Sequence, residues 1–232
     1  TRAAERAGLD SVAWQLPVVA RSIHMLLNPF EEWLAMSRIG LRAARRAGDR
    51  AGEVEVLESL GMAYTQSHRL SEGEDHHTAA LSLRRVLGDR KGEAFSLNDI
   101  GLIHIRARRL HAAREQFEQA IAIFQDLGET GWEAVCTANL AEVLCELEAL
   151  PEAYDRINRA LRAHRSDGDE GGEGNALRIL SAIQRERGRL QEARESASCA
   201  LEIAYRHQNR MWEGFWLLEM GNAQLALGDP AA

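Results

Sequence analysis

Gly88-Asp89-Arg90-Lys91-Gly92-Glu93 reads as a helix stop followed at once by a helix start. Glycine takes the left-handed conformation that ends a helix without a Cβ penalty. Asp89 is then placed to cap the next helix, and Glu93 sets negative charge near that helix's positive end. The signal recurs forty residues earlier as Gly48-Asp49-Arg50-Ala51-Gly52-Glu53. It recurs later as Gly128-Glu129-Thr130-Gly131-Trp132-Glu133 and as Gly168-Asp169-Glu170-Gly171-Gly172-Glu173. A worn copy reads Gln208-Asn209-Arg210-Met211-Trp212-Glu213. Five glutamates at one fixed period mark a repeat protein, and every other feature is read against that period.

Each period holds two helical patterns. In the first, helix A, apolar residues fall at Leu57, Leu60 and Tyr64 and return at Leu97 and Ile100, at Leu140 and Leu144, and at Leu177 and Leu180. A small residue follows at Gly61, Gly101, Ala141, Ser181 and Gly221, where a neighbouring helix is to approach closely. A short turn comes next, with Gly188 or Gly228 as stop signals. Ser71-Glu72-Gly73-Glu74 predicts a capping box opening helix B, and Pro151 suits a first helical turn. Helix B shows Phe117, Ala120, Ile121 and Phe124 at helical spacing, with Ala-Leu or Ala-Ile pairs at 80, 120, 160 and 200. In the first period Pro17 stands where Leu57 stands later, and it is expected to kink or shorten that helix. Asn28-Pro29 is read as the start of its second helix.

The 232 residues are 45% hydrophobic, enough for an extended core. No apolar run approaches the ~18 residues of a membrane span. The net charge of −7 weighs against a nucleic-acid surface, which needs phosphate-neutralising cations. Lys91 is the only lysine. Cys136, Cys145 and Cys199 fit neither a disulfide framework nor a metal knuckle, and reduced thiols in a cytoplasm are expected. The opening Thr1-Arg2-Ala3-Ala4-Glu5-Arg6-Ala7-Gly8 is similar to the helix end Leu41 to Gly48, so the chain is expected to be a fragment of a longer protein.

The small residue at 61, the aromatic at 64, the small residues at 113, 153 and 193 and Ala80 with its equivalents resemble the tetratricopeptide repeat, in a forty-residue version. That resemblance implies an all-α, right-handed superhelical solenoid of antiparallel helix pairs. It would be one domain over 1–232, with about five pairs and a final unpaired helix at 210–227. The rhythm and the arginine richness also resemble the C-terminal arrays of actinobacterial regulators such as the larger Streptomyces antibiotic regulatory proteins. There the repeats follow a DNA-binding region and an NB-ARC-type ATPase. A protein- or peptide-binding scaffold, the sensing part of a bacterial transcriptional regulator, is the function this implies. A free-standing adaptor or a receptor for a short signalling peptide is the alternative.

In the family the A helices line a concave groove. Carried onto this sequence, its residues are Glu58, Phe95, Asn98, Leu102, Ile105 and Arg106, then Glu142, Asn175, Arg178 and Arg185, then Phe215 and Asn222. Asn98, Asn175 and Asn222 are of interest because an amide donates and accepts at once and so grips an extended backbone. Asn139, one position off this mapping, is read as bonding between helices. The helix from Met211 to Met220 is apolar over much of its circumference, and Trp212 and Trp216 are expected to form a self-association or next-repeat surface, with a homodimer as one outcome.

Catalytic chemistry is not expected. No phosphate-binding Gly-Lys loop and no nucleophile elbow occur. Glu72 and His76 are one turn apart on a helix, a metal-like spacing, but the acids belong to a helix start and His77 falls on a packing position. No metal or cofactor is expected. His104 is read as a hydrogen-bonded interior histidine, and Arg156, Arg159, Arg162 and Arg165 as a solvated outer face.

Overall fold

The forty-residue signal becomes the same backbone corner each time. A computed structural model describes residues 1–27 and 29–228. Gly48, Gly88, Gly128 and Gly168 take φ of 67°, 71°, 70° and 68°. At Gly88 the Asp89 N–H reaches back to the Arg84 carbonyl at 3.0 Å, closing the outgoing helix. Asp89 Oδ1 then accepts from the Gly92 N–H at 2.8 Å, as Asp49 does from Gly52 and Asp169 from Gly172. The recurring glutamate does more than oppose a dipole. Glu93 accepts from Arg85 at 2.8 Å and from Arg90 at 2.6 Å, tying the helix it opens to the last turn of the helix before it. Glu53 does the same with Arg45 and Arg50, and Glu173 with Arg165.

The described residues form thirteen α-helices and no strand. The chain divides into two compact units, Thr1–Arg109 and Leu110–Ala232. The first holds α1 (Arg2–Arg6), α2 (Asp10–Val19), α3 (Arg21–Leu27), α4 (Phe30–Ala47), α5 (Arg50–Gln66), α6 (Leu70–Leu87) and α7 (Arg90–Arg106). In it α5 packs between α4 and α6, and α6 packs on α7. Trp33, Leu34, Val56, Leu60, Ala63 and Tyr64 form its main cluster, and the Trp33 indole N–H donates to Ser59 at 2.7 Å. Each such buried aliphatic side chain contributes about 2 kcal/mol. Pro17 stands inside the first A helix, which breaks at Ala20, after Pro17, and resumes as α3. α2 runs 10 residues where later A helices run 17, and Pro17 is buried against Gly40. Pro29 caps α4, while Asn28 lies outside the described residues.

The second unit holds α8 (Leu110–Leu127), α9 (Thr130–Glu146), α10 (Leu150–Asp167), α11 (Glu170–Glu186), α12 (Leu190–Arg206) and α13 (Arg210–Ala226). Each helix packs on the next, and the A helices α9, α11 and α13 also touch in sequence. Leu140, Leu144, Ile157, Ile179 and Ile183 are fully buried there. Pro151 sits in the first turn of α10.

The turn from helix A to helix B corrects one expectation. Ser71 and Glu74 make no capping box, because α6 starts at Leu70 and its N-cap is Arg69. Glu74 is drawn instead to His104 Nε2 at 2.9 Å and to Arg109. The turn is set by a left-handed residue one step earlier, His68, Arg108, Glu148 and Gly188, with φ between 59° and 73°.

Candidate functional site

Four of the expected groove residues converge in the second unit. α9 supplies Glu142, α11 supplies Asn175 and Arg178, and α13 supplies Phe215, all at helix-A positions on sequentially packed A helices. With Gly171, Met211, Trp212, Trp216, Leu218 and Glu219 they line an open cavity of about 480 Å³. Its polar wall is pre-ordered. Arg178 Nη2 donates to Glu142 Oε1 at 3.0 Å, and Arg178 Nε donates to Asn175 Oδ1 at 3.2 Å. Its apolar wall is the Trp212–Trp216 stack, with ring centroids 5.3 Å apart, extended by Phe215, which is 64% exposed.

The two tryptophans stand differently from the expectation. Trp216 is only 3% exposed and Trp212 is half-buried. Both turn inward onto glycines. A Cβ at Gly174 would lie 2.2 Å from Trp216 Cη2, and one at Gly171 would lie 2.9 Å from Trp212 Cη2. The exposed apolar face of α13 is made by Met211, Phe215, Leu217, Leu218 and Leu225. Gly171, Met211, Leu218 and Glu219 are lining residues outside the expected set. The signal was the additional glycine at 174, which stands where Val54, Ala94 and Ala134 stand in other periods. Glu219 is buried, accepts from Ser181 at 3.3 Å and faces Arg185 Nε at 3.6 Å. Arg185 also pairs with Glu186. Asn222 is half-buried on α13 and is not among the lining residues. Cys145 is half-buried, and burial, with Glu186 adding to it, pushes its thiol up to about 11, so it is a poor nucleophile. Among the described residues no disulfide joins the three cysteines.

In the first unit Leu102 and Arg106 line a smaller cavity of about 170 Å³, and Arg106 Nη1 donates to the Thr65 carbonyl at 3.2 Å. Phe95, Asn98 and Ile105 are half-buried beside them on α7. Glu58 differs from the expectation. It is 5% exposed and is held by Arg84 Nη1 at 2.9 Å and Ser96 Oγ at 2.8 Å, so it is not offered to a partner at the surface. Burial opposes its charge, yet His77, Arg84 and Ser96 hold its carboxyl down to about 2. Asp99 next to it is pushed up to about 7 by burial, against the pull of His77 and with the push of Glu58. Within α6, His76 Nδ1 contacts the Glu72 carbonyl at 2.7 Å and Glu72 pairs with Arg69, so the Glu72–His76 spacing holds no metal geometry. His104 is the hydrogen-bonded interior histidine the sequence suggests. Arg156, Arg159 and Arg165 meet Glu152, Glu133 and Glu173 on an outer face. Asn139 is buried. Among the described residues no helix is long and apolar enough to cross a membrane.

Comparison with known proteins agrees with this architecture. A family model described as tetratricopeptide repeat matches residues 41–126 and 133–206. No curated protein matches the sequence. Among solved structures, the apo form of RapI is similar, with 13% identity, a TM-score of 0.76, and 93% of this chain and 83% of that one covered. A signal transduction ATPase with numerous domains and a tetratricopeptide repeat sensor, from Pyrococcus horikoshii, matches at 14% identity and a TM-score of 0.74. There 95% of this chain covers 34% of that one. The Rap conjugation gene regulator of plasmid pLS20, solved in complex with the Phr* peptide, matches at 14% identity and a TM-score of 0.72, over 88% of this chain and 56% of that one. At these identities the likeness shows the helix-pair fold alone.

Proposed function

Since the chain belongs to the tetratricopeptide repeat family, we propose that it is a protein- or peptide-binding scaffold whose docking site is the α9–α11–α13 cavity. The observation that carries the reading is the pairing of two walls. An aromatic wall, the exposed Phe215 backed by the largely buried Trp212–Trp216 stack, faces the polar Glu142–Arg178–Asn175 set. Aromatic and arginine side chains around a concavity are what supply binding energy at protein interfaces. An extended segment would bury an apolar side chain against the rings and take backbone hydrogen bonds from Asn175. The reading assigns no reaction, cofactor or nucleic acid to the chain.

We place this scaffold in the regulatory or sensing part of a bacterial transcriptional regulator of the antibiotic regulatory type, acting in the cytoplasm. The rhythm of the repeat supports it, as does the likeness to a multidomain ATPase of which this chain covers 34%. Partner binding would then restrain or release a neighbouring ATPase. The likeness to a Rap regulator solved with a peptide supports a second reading, a receptor for a short signalling peptide. Immunoblotting of source cells separates the two. A polypeptide several times larger than 25.8 kDa supports the regulator, and one near 25.8 kDa removes it.

The site itself is tested by selecting linear peptides from a display library on the full chain. Phe215→Ala and Arg178→Ala should each weaken the selected peptides by about tenfold, the loss of one good interface anchor. Equal binding to wild type and variants, with helicity unchanged, overturns the site. Met211, Leu217, Leu218 and Leu225 also support self-association through α13. A monomer at every concentration in sedimentation would remove that part.

A further inference from the structure

Glu58, His77 and Asp99 stand on three successive helices, α5, α6 and α7, and meet at one point. His77 is 2% exposed, and its Nδ1 makes no hydrogen bond. That nitrogen is aimed between two carboxylate oxygens, 3.4 Å from Glu58 Oε2 and 3.8 Å from Asp99 Oδ2. The three donor atoms all lie within 4.8 Å of one another. Donors about 2.0–2.2 Å from a tetrahedral zinc ion stand about 3.3–3.6 Å apart.

Each carboxylate is steered by its other oxygen. Glu58 Oε1 accepts from Arg84 and Ser96, which leaves Oε2 facing His77. Asp99 Oδ1 accepts from Asn98 Nδ2 at 3.4 Å, which leaves Oδ2 facing the same nitrogen. The ring of His77 lies over Gly61, where a Cβ would stand 2.5 Å from it. Outer contacts that fix first-contact ligands in this way are the usual support of a metal centre. His77 and Asp99 also line the 170 Å³ cavity with Met62, Thr65, Gln66, Leu102 and Arg106, which leaves room for several waters on the open side.

The charges favour a cation. Arg84 is paired with Glu58 and has its Nε 3.6 Å from Asp89, and Arg106 stands at the cavity. Two carboxylate oxygens, Glu58 Oε2 and Asp99 Oδ2, face the one imidazole nitrogen. Nor does the repeat prescribe the cluster. One period on, the same positions hold Asn98, Phe117 and Asn139, and the next period holds Ala138, Ile157 and Ile179.

We propose that Glu58, His77 and Asp99 form a binding site for a first-row divalent cation, with zinc the ion their donor set fits and cavity water completing the coordination. The site is independent of the α9–α11–α13 cavity and of any partner held there.

The test titrates the full chain, stripped with chelator, with Zn²⁺ and with Co²⁺. One saturable equivalent, a rise in Tm and a Co²⁺ visible spectrum of low-coordinate type are expected. His77→Phe takes the residue that the fold already buries at Phe117, and Asp99→Asn takes the residue at Asn139. Each should weaken Zn²⁺ by at least about tenfold while circular dichroism stays helical. The proposal is overturned if wild type binds no Zn²⁺. It is overturned equally if binding persists undiminished in the variants, which assigns the ion to exposed histidines such as His68, His111 or His207. Should His77→Phe fail to fold, Asp99→Asn alone decides.

Discussion

Glu93 shows what one residue of the repeat does. Burial disfavours its charge, but hydrogen bonds from Arg85 and Arg90 outweigh burial and hold its carboxyl below the usual range. A carboxylate depressed on folding adds stability that is present above its unfolded value and is lost as the pH falls through the folded one. The window is therefore below about pH 4.5. Glu93→Gln should flatten the fall in stability between pH 5 and 3 by on the order of 1 kcal/mol, read from urea unfolding at each pH. An unchanged acid limb would show that the clamp across the turn contributes nothing. The sequence made the glutamates visible through their period and explained them by the helix dipole. The clamp partner eight residues upstream, Arg45, Arg85 or Arg165, was written in the same period, but only the corner geometry brings the two together.

At the scale of the element, the two kinds of turn were unequally legible. The B-to-A turn carries glycine at 48, 88, 128 and 168, and sequence reading placed it to the residue. The A-to-B turn needs the same left-handed backbone, yet it is built mostly from His68, Arg108 and Glu148. Nothing in those side chains announces the conformation, so the Ser71–Glu74 pair was read as the helix start and the true start at Leu70 was missed. The strain is removable. Glu148→Gly, whose φ of 61° glycine adopts freely, should stabilise the second unit by about 1 kcal/mol, measured as the denaturant midpoint. A loss of stability instead would mean that the unfolded chain's added entropy wins at this turn. The α13 tryptophans follow the same logic, because their inward turn depends on space left by Gly171 and Gly174 on a different helix.

For the molecule as a whole, the period alone carried the all-α class and the helix pairs, because repetition makes each local signal confirm its copies. The groove was legible in part. Glu142, Asn175, Arg178 and Phe215 do line one cavity. Glu58 failed, because its burial depends on Arg84 and Ser96 on neighbouring helices, which no linear pattern links to it. Asn98 and Asn222 remain half-buried candidates for holding a backbone outside the main cavity. Replacing Asn222 by alanine should weaken a selected peptide by about tenfold if the bound segment runs beyond the aromatic wall along α13, a competition assay being the measurement. Unaltered affinity confines the contact to the α9–α11–α13 cavity.

A backbone that returns to the same conformation every forty residues gives each position an address. A cluster found at one address can be rewritten at another without new architecture. Ala138, Ile157 and Ile179 hold the addresses of Glu58, His77 and Asp99 on α9, α10 and α11. Installing glutamate, histidine and aspartate there, with an arginine at His164 to match Arg84, would make the second unit a copy of the first in its charge pattern. The chain is in that sense a ruled page on which polar groups can be moved line by line.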